Sequence, residues 1–217
     1  YLKRRKQKKI TKNMRQLAPL PSTHISNTKS QQSNQTPWLI IYASQTGFAE
    51  QIAWRTAQSL HQANIATHVI AIHQLKVAQL QSAKKALFVV STYGQGQAPD
   101  HARPFAKKQL PHTLDLSGRD YAVLALGAQE YQQTYWTFGQ QVDQWLVNSG
   151  ANALFDLVRV NNGSNEDIAR WSDALSSITQ SKLQAMSAER IFYNWYITQR
   201  TLLNPDSLGA PAFELRL

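Results

Sequence analysis

The sequence predicts an α/β protein with a parallel sheet covered by helices on both faces. Short apolar runs recur along the chain, and segments with helical spacing of apolar residues separate them. A continuous apolar run is typical of a strand buried on both faces of a parallel sheet. Strands and helices that alternate in this way form a doubly wound sheet.

Each predicted strand is an apolar or β-branched run, and they lie at 38–43, 67–72, 86–91, 121–126 and 154–160. The predicted helices cover 50–61, 100–110, 137–148 and 166–183. Trp54, Trp145 and Trp171 occupy apolar helical positions, so we assign all three to the core. The sequence therefore predicts a five-stranded doubly wound sheet.

Composition excludes several classes of site. The 217 residues include no Cys, which excludes disulfides, thiolate zinc sites and a cysteine nucleophile. No stretch approaches the roughly 20 apolar residues of a membrane span. The six His residues have no metal-ligand spacing and the acids are scattered, so we assign no metal site and no catalytic residue.

The positive charge is concentrated at the start of the chain. The net charge is +10, but residues 1–36 hold nine of the 23 Lys and Arg residues and none of the 13 acids. We interpret 1–36 as a basic, polar tether. Within it, 22–36 is a polar linker, and 3–15 could be a solvated tail, the cytoplasmic flank of an upstream membrane helix, or a nucleic-acid arm. The nucleic-acid arm is disfavoured because 3–15 contain no aromatic residue and the remaining chain is nearly neutral.

Both ends indicate an internal piece of a longer protein. The sequence starts at Tyr1 rather than Met, and it ends on an alternating apolar pattern at 213–217 that is typical of a strand. We therefore expect further domains outside these residues.

The loop at 44–49 has the composition of a phosphate site. It joins a buried strand to a helix start, where backbone N–H groups and the helix dipole favour an anion. Ser44 and Thr46 add hydroxyl groups, and Gly47 permits close approach of the backbone. The loop has neither a triphosphate nor a dinucleotide motif, so a single phosphate fits best. Helix capping alone would also explain these residues.

Two further loops offer aromatic rings at the same edge of the sheet. In 91–100, Tyr93 lies between the end of a predicted strand and two glycines. Tyr131 lies in the loop that follows the strand predicted at 121–126. The carboxyl ends of parallel strands are where such sheets bind ligands. A phosphate loop beside two tyrosines predicts a site for a planar ring on a phosphorylated tail.

Three motifs resemble one family. They are Ser-Gln-Thr-Gly at 44–47, Ser-Thr-Tyr-Gly-x-Gly-x-Ala-Pro-Asp at 91–100, and Ala-Val-Leu-Ala-Leu-Gly at 122–127 followed by Tyr131. They are similar to the FMN-binding flavodoxin-like domain of diflavin reductases, which include the cytochrome P450 reductases and the sulfite reductase flavoprotein. The resemblance implies strand order 2-1-3-4-5. It also implies a cofactor site formed by Ser44, Gln45, Thr46, Gly47, Phe48, Ala49, Ser91, Thr92, Tyr93, Gly94, Gln95, Gly96, Leu126, Gly127, Ala128, Gln129, Tyr131 and Tyr135.

The same resemblance implies the organisation of the whole protein. Residues 37–183 would be the FMN domain, and 184–217, which resemble the opening of an FAD-binding domain, would begin an FAD/NADPH reductase domain. The implied oxidoreductase passes electrons from NADPH through FAD and FMN to a haem protein or another one-electron acceptor. The implied location is the cytoplasm, or the cytoplasmic face of a membrane if a helix precedes the tether.

The departures from the family favour two further expectations. Gln95, Gln97 and Ala128 stand where diflavin relatives usually carry acids, so we expect a less negative FMN potential and no acidic recruitment face. Phe48 stands where relatives have a small or hydroxyl residue, and it could pack beside the cofactor. The alternative function is a flavodoxin-like adaptor that has lost FMN and binds proteins through its loops.

Overall fold

Apolar runs form the central strands of a parallel sheet. The structure is a computed structural model that describes residues 36–127, 135–184, 186–187, 196–205, 207 and 209–216. The main strands are β1 (Trp38–Ala43), β2 (Thr67–Ala71), β3 (Lys85–Ser91) and β4 (Asp120–Gly127). The interior residues of β3 and β4 are buried, because helices cover both faces of these strands.

The sheet has the predicted strand order. Within the described ranges, β1 pairs with β2 on one side and β3 on the other, β3 pairs with β4, and every pairing is parallel. The fifth position beside β4 completes the order 2-1-3-4-5. The doubly wound fold predicted from the sequence is confirmed.

The fifth strand differs from the prediction of one strand over 154–160. Two short strands, β5 (Asn152–Ala153) and β6 (Val158–Asn161), both pair with β4. Between them the chain leaves the sheet at Phe155, whose ring packs edge-on against Trp171 with 5.4 Å between ring centroids. Burying that ring against a helix interrupts the ladder, so the edge strand is divided.

The helices agree with the predicted ones in place and differ in length. They are α1 (Phe48–Gln62), α2 (Val77–Ser82), α3 (Arg103–Lys108), α4 (Thr137–Asn148) and α5 (Asn165–Thr179), with 3-10 turns at Ile72–Gln74 and Asp100–Ala102. α4 has the predicted bounds, whereas the predicted helix over 100–110 is divided into a 3-10 turn and α3. The short α2 lacks a clear sequence pattern and was not predicted.

Two apolar cores lie on opposite faces of the sheet. One packs β-strand residues against α2, α3 and α4, and the other packs the alternate strand residues against α1 and α5. Trp145 and Trp171 are buried as predicted, but the assignment of Trp54 to the core is wrong, since it is 48% exposed. On α1 the inner face belongs to small and aliphatic residues such as Ile52 and Ala53, and Trp54 lies one position round the helix from them.

The C-terminal segment forms a separate pairing. β7 (Gln199–Leu202) and β8 (Phe213–Arg216) form an antiparallel two-stranded sheet, which confirms the strand predicted near the end of the sequence. Every residue of both strands is exposed. None of the helices among the described residues is long and apolar enough to cross a membrane.

Candidate functional site

The first three loops meet at one edge because their strands end in register. Ala43 pairs with Val90, and Ser91 pairs with Leu126, so β1, β3 and β4 finish side by side. The Ser91 hydroxyl donates to the carbonyl of Ala43 at 2.9 Å, and the Thr92 N–H donates to the carbonyl of Leu126, also at 2.9 Å. These bonds tie the strand ends together. The structure therefore brings the described candidate residues of all three loops to the same edge.

The loop after β1 starts a helix with its backbone open to solvent. Gly47 is the N-cap of α1 with φ of 85°, a left-handed conformation that favours glycine. The N–H of Ala49 donates to the buried Ser44 hydroxyl at 3.2 Å, so Ser44 fixes the loop from inside. Thr46 and Gly47 are exposed. This arrangement leaves Thr46 as the hydroxyl presented outward at the helix start.

The loop after β3 is a tight turn that presents Tyr93. Tyr93 and Gln97 exchange two backbone hydrogen bonds of 2.8 Å each, and Gly94 and Gly96 have φ of 52° and 95°. The ring of Tyr93 is 46% exposed, which agrees with the expectation of an aromatic outside the core. At the base of the turn, the Thr92 hydroxyl accepts from the N–H of Phe138 at 3.3 Å. The turn is thus anchored to the start of α4.

The third loop leaves β4 through a close backbone contact. A Cβ at Gly127 would lie 1.7 Å from the carbonyl oxygen of Tyr135, so only glycine fits there. The rings of Tyr135 and Trp136 lie 3.9 Å apart between centroids, and the Trp136 indole donates to the carbonyl of Val160 at 3.1 Å. Three predicted site residues, Ala128, Gln129 and Tyr131, lie outside the described residues.

Phe48 is half-buried and packs against the apolar core between the sheet, α1 and α5. The expectation that Phe48 packs beside the cofactor stays a prediction.

Sequence reasoning missed the partner of Asp100, which it treated as a scattered acid. The Gln45 side-chain amide donates to the Asp100 carboxylate at 3.0 Å, and its oxygen accepts from the Asp100 N–H at 2.9 Å. Arg103 forms an ion pair with the same carboxylate at 2.8 Å. Gln45 and Asp100 are 55 positions apart in the sequence, so no local pattern predicts that they pair.

Titratable groups near the first loop have shifted pKa values. Burial, with a hydrogen bond to Glu50 at 2.9 Å, raises the pKa of Tyr42 to about 12. Burial also lowers the pKa of His101, and the charge of His73 lowers it further. The ring of His73 meets that of His101 edge-on at 5.2 Å. Neutral forms of Tyr42 and His101 are therefore favoured beside the loop.

A cleft of about 640 Å³ lies beside the loop at 162–164, between β6 and α5. Its walls come from β6, the start of α5, the residues just before each, and the N-cap of α4: Trp136, Asp156, Leu157, Val158, Arg159, Asn161, Ser164, Asp167 and Arg170. None of the predicted site residues lines it. Trp136, which lines the cleft, follows directly on Tyr135, a predicted site residue of the third loop.

The chain is similar to known proteins over most of its folded part. A family described as Flavodoxin matches residues 40–171, which span β1 to α5. Bovine (Bos taurus) NADPH–cytochrome P450 reductase is 32% identical over 142 residues, covering 62% of this chain and 21% of that protein. The sulfite reductase [NADPH] flavoprotein alpha-component of Shewanella sp. (strain MR-4) is 32% identical over 171 residues, covering 76% and 26%.

A solved structure supports the fold. A mutant of flavodoxin from Pseudomonas aeruginosa aligns with a TM-score of 0.58 at 20% identity, covering 67% of this chain and 100% of that one. The two reductases are much longer, and the chain spans only 21% and 26% of their lengths.

Proposed function

The chain belongs to the flavodoxin family, and from this membership we propose that the edge formed by its first three loops binds FMN. The observation that carries the proposal is the convergence, at one edge, of a glycine-capped helix start and a half-exposed tyrosine. The first suits a phosphate and the second suits a planar ring. FMN, when bound, would supply one-electron transfer.

The residues present fit such a ligand. The start of α1 directs its dipole and N–H groups outward at Gly47, and Thr46 adds an exposed hydroxyl, so this loop would hold the phosphate. Tyr93 stands on a turn closed by two backbone bonds, which would fix its ring against the flavin. By resemblance, Tyr131 would cover the other face. Gly127 would keep the third loop close to the strand end.

We propose further that this module belongs to a longer NADPH-dependent oxidoreductase. The relatives whose names include NADPH and reductase extend well beyond the matched region, which supports additional FAD and NADPH domains in the same polypeptide. Residues 37–183 would then be the electron carrier, 184–217 the start of the reductase portion, and 1–36 a tether. The acceptor would be a haem protein or another one-electron acceptor, and an upstream membrane anchor remains a prediction.

Ligand titration tests the binding proposal. The chain, freed of bound flavin, would be titrated with FMN and with FAD while flavin fluorescence is followed. We expect saturable binding of one FMN per chain and weaker binding of FAD, because its pyrophosphate continues into an adenosine that the short loop does not accommodate. Tyr93→Ala should weaken FMN binding about tenfold or more by removing the stacking ring.

Tyr196→Ala is the matched control, since Tyr196 is 74% exposed and belongs to the C-terminal segment. It should leave FMN binding unchanged. A folded chain that binds no FMN would contradict the proposal and would favour the adaptor function instead.

A further inference from the structure

The side chain of Gln45 bridges two loops that belong to different strands. Its amide nitrogen donates to the Asp100 carboxylate at 3.0 Å, and its amide oxygen accepts from the Asp100 backbone N–H at 2.9 Å. The amide nitrogen and the amide oxygen of Gln45 therefore both form hydrogen bonds with Asp100. The side-chain amide of Gln45 is therefore directed at Asp100.

Asp100 is rigidly connected to the turn that presents Tyr93. Gln97 closes that turn through its two bonds to Tyr93 at 2.8 Å. Ala98 and Pro99, which join Gln97 to Asp100, are buried, and proline fixes its own backbone φ angle. A displacement of Asp100 would therefore be transmitted to Tyr93 through buried Ala98 and Pro99 and the two backbone bonds of Gln97.

We propose that Gln45 and Asp100 are positioning residues that hold the phosphate loop and the Tyr93 turn at one separation, and so make the site selective for a phosphorylated flavin. The inference rests on the proposed function. FMN would contact both loops at once, whereas riboflavin, which lacks the phosphate, would depend on the ring-binding turn alone. Holding the two loops in place before binding raises the affinity only of a ligand that contacts both of them.

The structure also indicates the size of the effect. Gln45 is half-buried and Asp100 is exposed, so water competes for both bonds and the bridge stabilises the arrangement modestly. We expect its removal to weaken FMN binding by about threefold to tenfold, which corresponds to one or two ordinary hydrogen bonds. Riboflavin binding should change by less than about twofold, because its contacts do not cross the bridge.

Titrations of the full chain with FMN and with riboflavin test the inference. Gln45→Leu removes both bonds without changing charge, and it should lower the ratio of FMN to riboflavin affinity by about threefold to tenfold. Gln144→Leu is the matched control, because Gln144 is exposed on α4 and bonds within its own helix to Asn148 at 3.0 Å. That variant should leave the ratio unchanged.

Exchanging the carboxylate and the amide between Gln45 and Asp100 distinguishes a positioning role from a merely structural one. Gln45→Glu places a carboxylate against the Asp100 carboxylate and should lower the ratio at least as much as Gln45→Leu. Asp100→Asn in that background restores a donor opposite the new carboxylate, so it should raise FMN affinity several times more than it does in the unaltered chain. Equal effects in the two backgrounds would overturn the inference.

The bridge can also be observed without any flavin. Hydrogen exchange of the Asp100 amide, which donates to Gln45, should accelerate in Gln45→Leu and not in Gln144→Leu. An unchanged exchange rate, or an unchanged ratio of affinities in a chain that binds FMN, would overturn this inference alone. Failure of the unaltered chain to bind any flavin would overturn the proposed function, and the inference with it.

Discussion

Gly127→Ala perturbs the point at which the third loop leaves the sheet. The added Cβ would lie 1.7 Å from the carbonyl oxygen of Tyr135 and 2.6 Å from its carbonyl carbon. Ordinary non-bonded contacts lie at about 3.5 Å, so Tyr135 would have to move by more than about 1.5 Å. Both contacted atoms belong to the backbone, and a side-chain rotation cannot relieve them. The backbone at Tyr135 must therefore shift.

The expected cost follows from overpacking. Forcing extra atoms into a packed position costs about 1–3 kcal/mol, and the contacts at Gly127 are among the closest that an added methyl group could meet. The gain in backbone rigidity from glycine to alanine offsets at most about 1 kcal/mol of this. We expect a net loss of about 1–2 kcal/mol in the free energy of unfolding, and FMN binding weakened at least about tenfold by displacement of the loop.

Urea unfolding and FMN titration of the variant measure the two effects. Gly209→Ala is the control, because a Cβ there would meet only the Ser207 hydroxyl at an ordinary 3.4 Å. Its unfolding midpoint and FMN affinity should equal those of the unaltered chain. If Gly127→Ala also leaves both quantities unchanged, the close contact of Gly127 with the Tyr135 backbone described above is wrong.

Two further predictions concern the pH dependence of stability and the reduction potential of bound FMN. The pKa of Tyr42 is raised from 10.0 to about 12, so its neutral form stabilises the folded chain fully below pH 10, and this stabilisation is lost as pH rises through 12. Tyr42→Phe should therefore show a smaller fall in unfolding free energy over that range, and an equal fall would contradict the raised pKa of Tyr42. Gln95→Glu and Gln97→Asp add carboxylates to the turn that carries Tyr93, and each should lower the potential of bound FMN by about 20 mV at low salt, as expected for charges about 10 Å apart in water. A redox titration with an unchanged or higher potential would contradict this.

Much of the fold was predictable because buried strands and helices have regular patterns of apolar residues in the sequence. The central strands lie buried on both faces, so their apolar runs are unbroken. In α4 the apolar residues recur at helical spacing and form one buried face. The edge of the sheet was less predictable. Phe155 belongs to an apolar run, but its ring packs against Trp171 instead of continuing the strand, and only the tertiary structure decides between the two.

The candidate site was also predictable from the sequence only in part. Gly47 and Tyr93 were predictable because local composition marks a helix start and an aromatic loop. The bridge between Gln45 and Asp100 and the contact of Gly127 with Tyr135 join positions that are distant along the chain or lie on opposite sides of a loop. The spacing of apolar and polar residues along the sequence does not indicate such contacts. Trp54 was assigned wrongly to the core from its apolar helical spacing, because its position round α1 directs it outward.

Amide chemical-shift mapping with FMN tests the proposed site most directly. Isotope-labelled chain would be titrated with FMN, and the largest shifts are predicted for Thr46, Gly47, Tyr93, Gly94 and Gly127, at the ends of β1, β3 and β4. Saturation at one FMN per chain with shifts at these amides would establish the loop edge as the cofactor site. Shifts confined to the cleft between β6 and α5, or none in a folded chain, would contradict it.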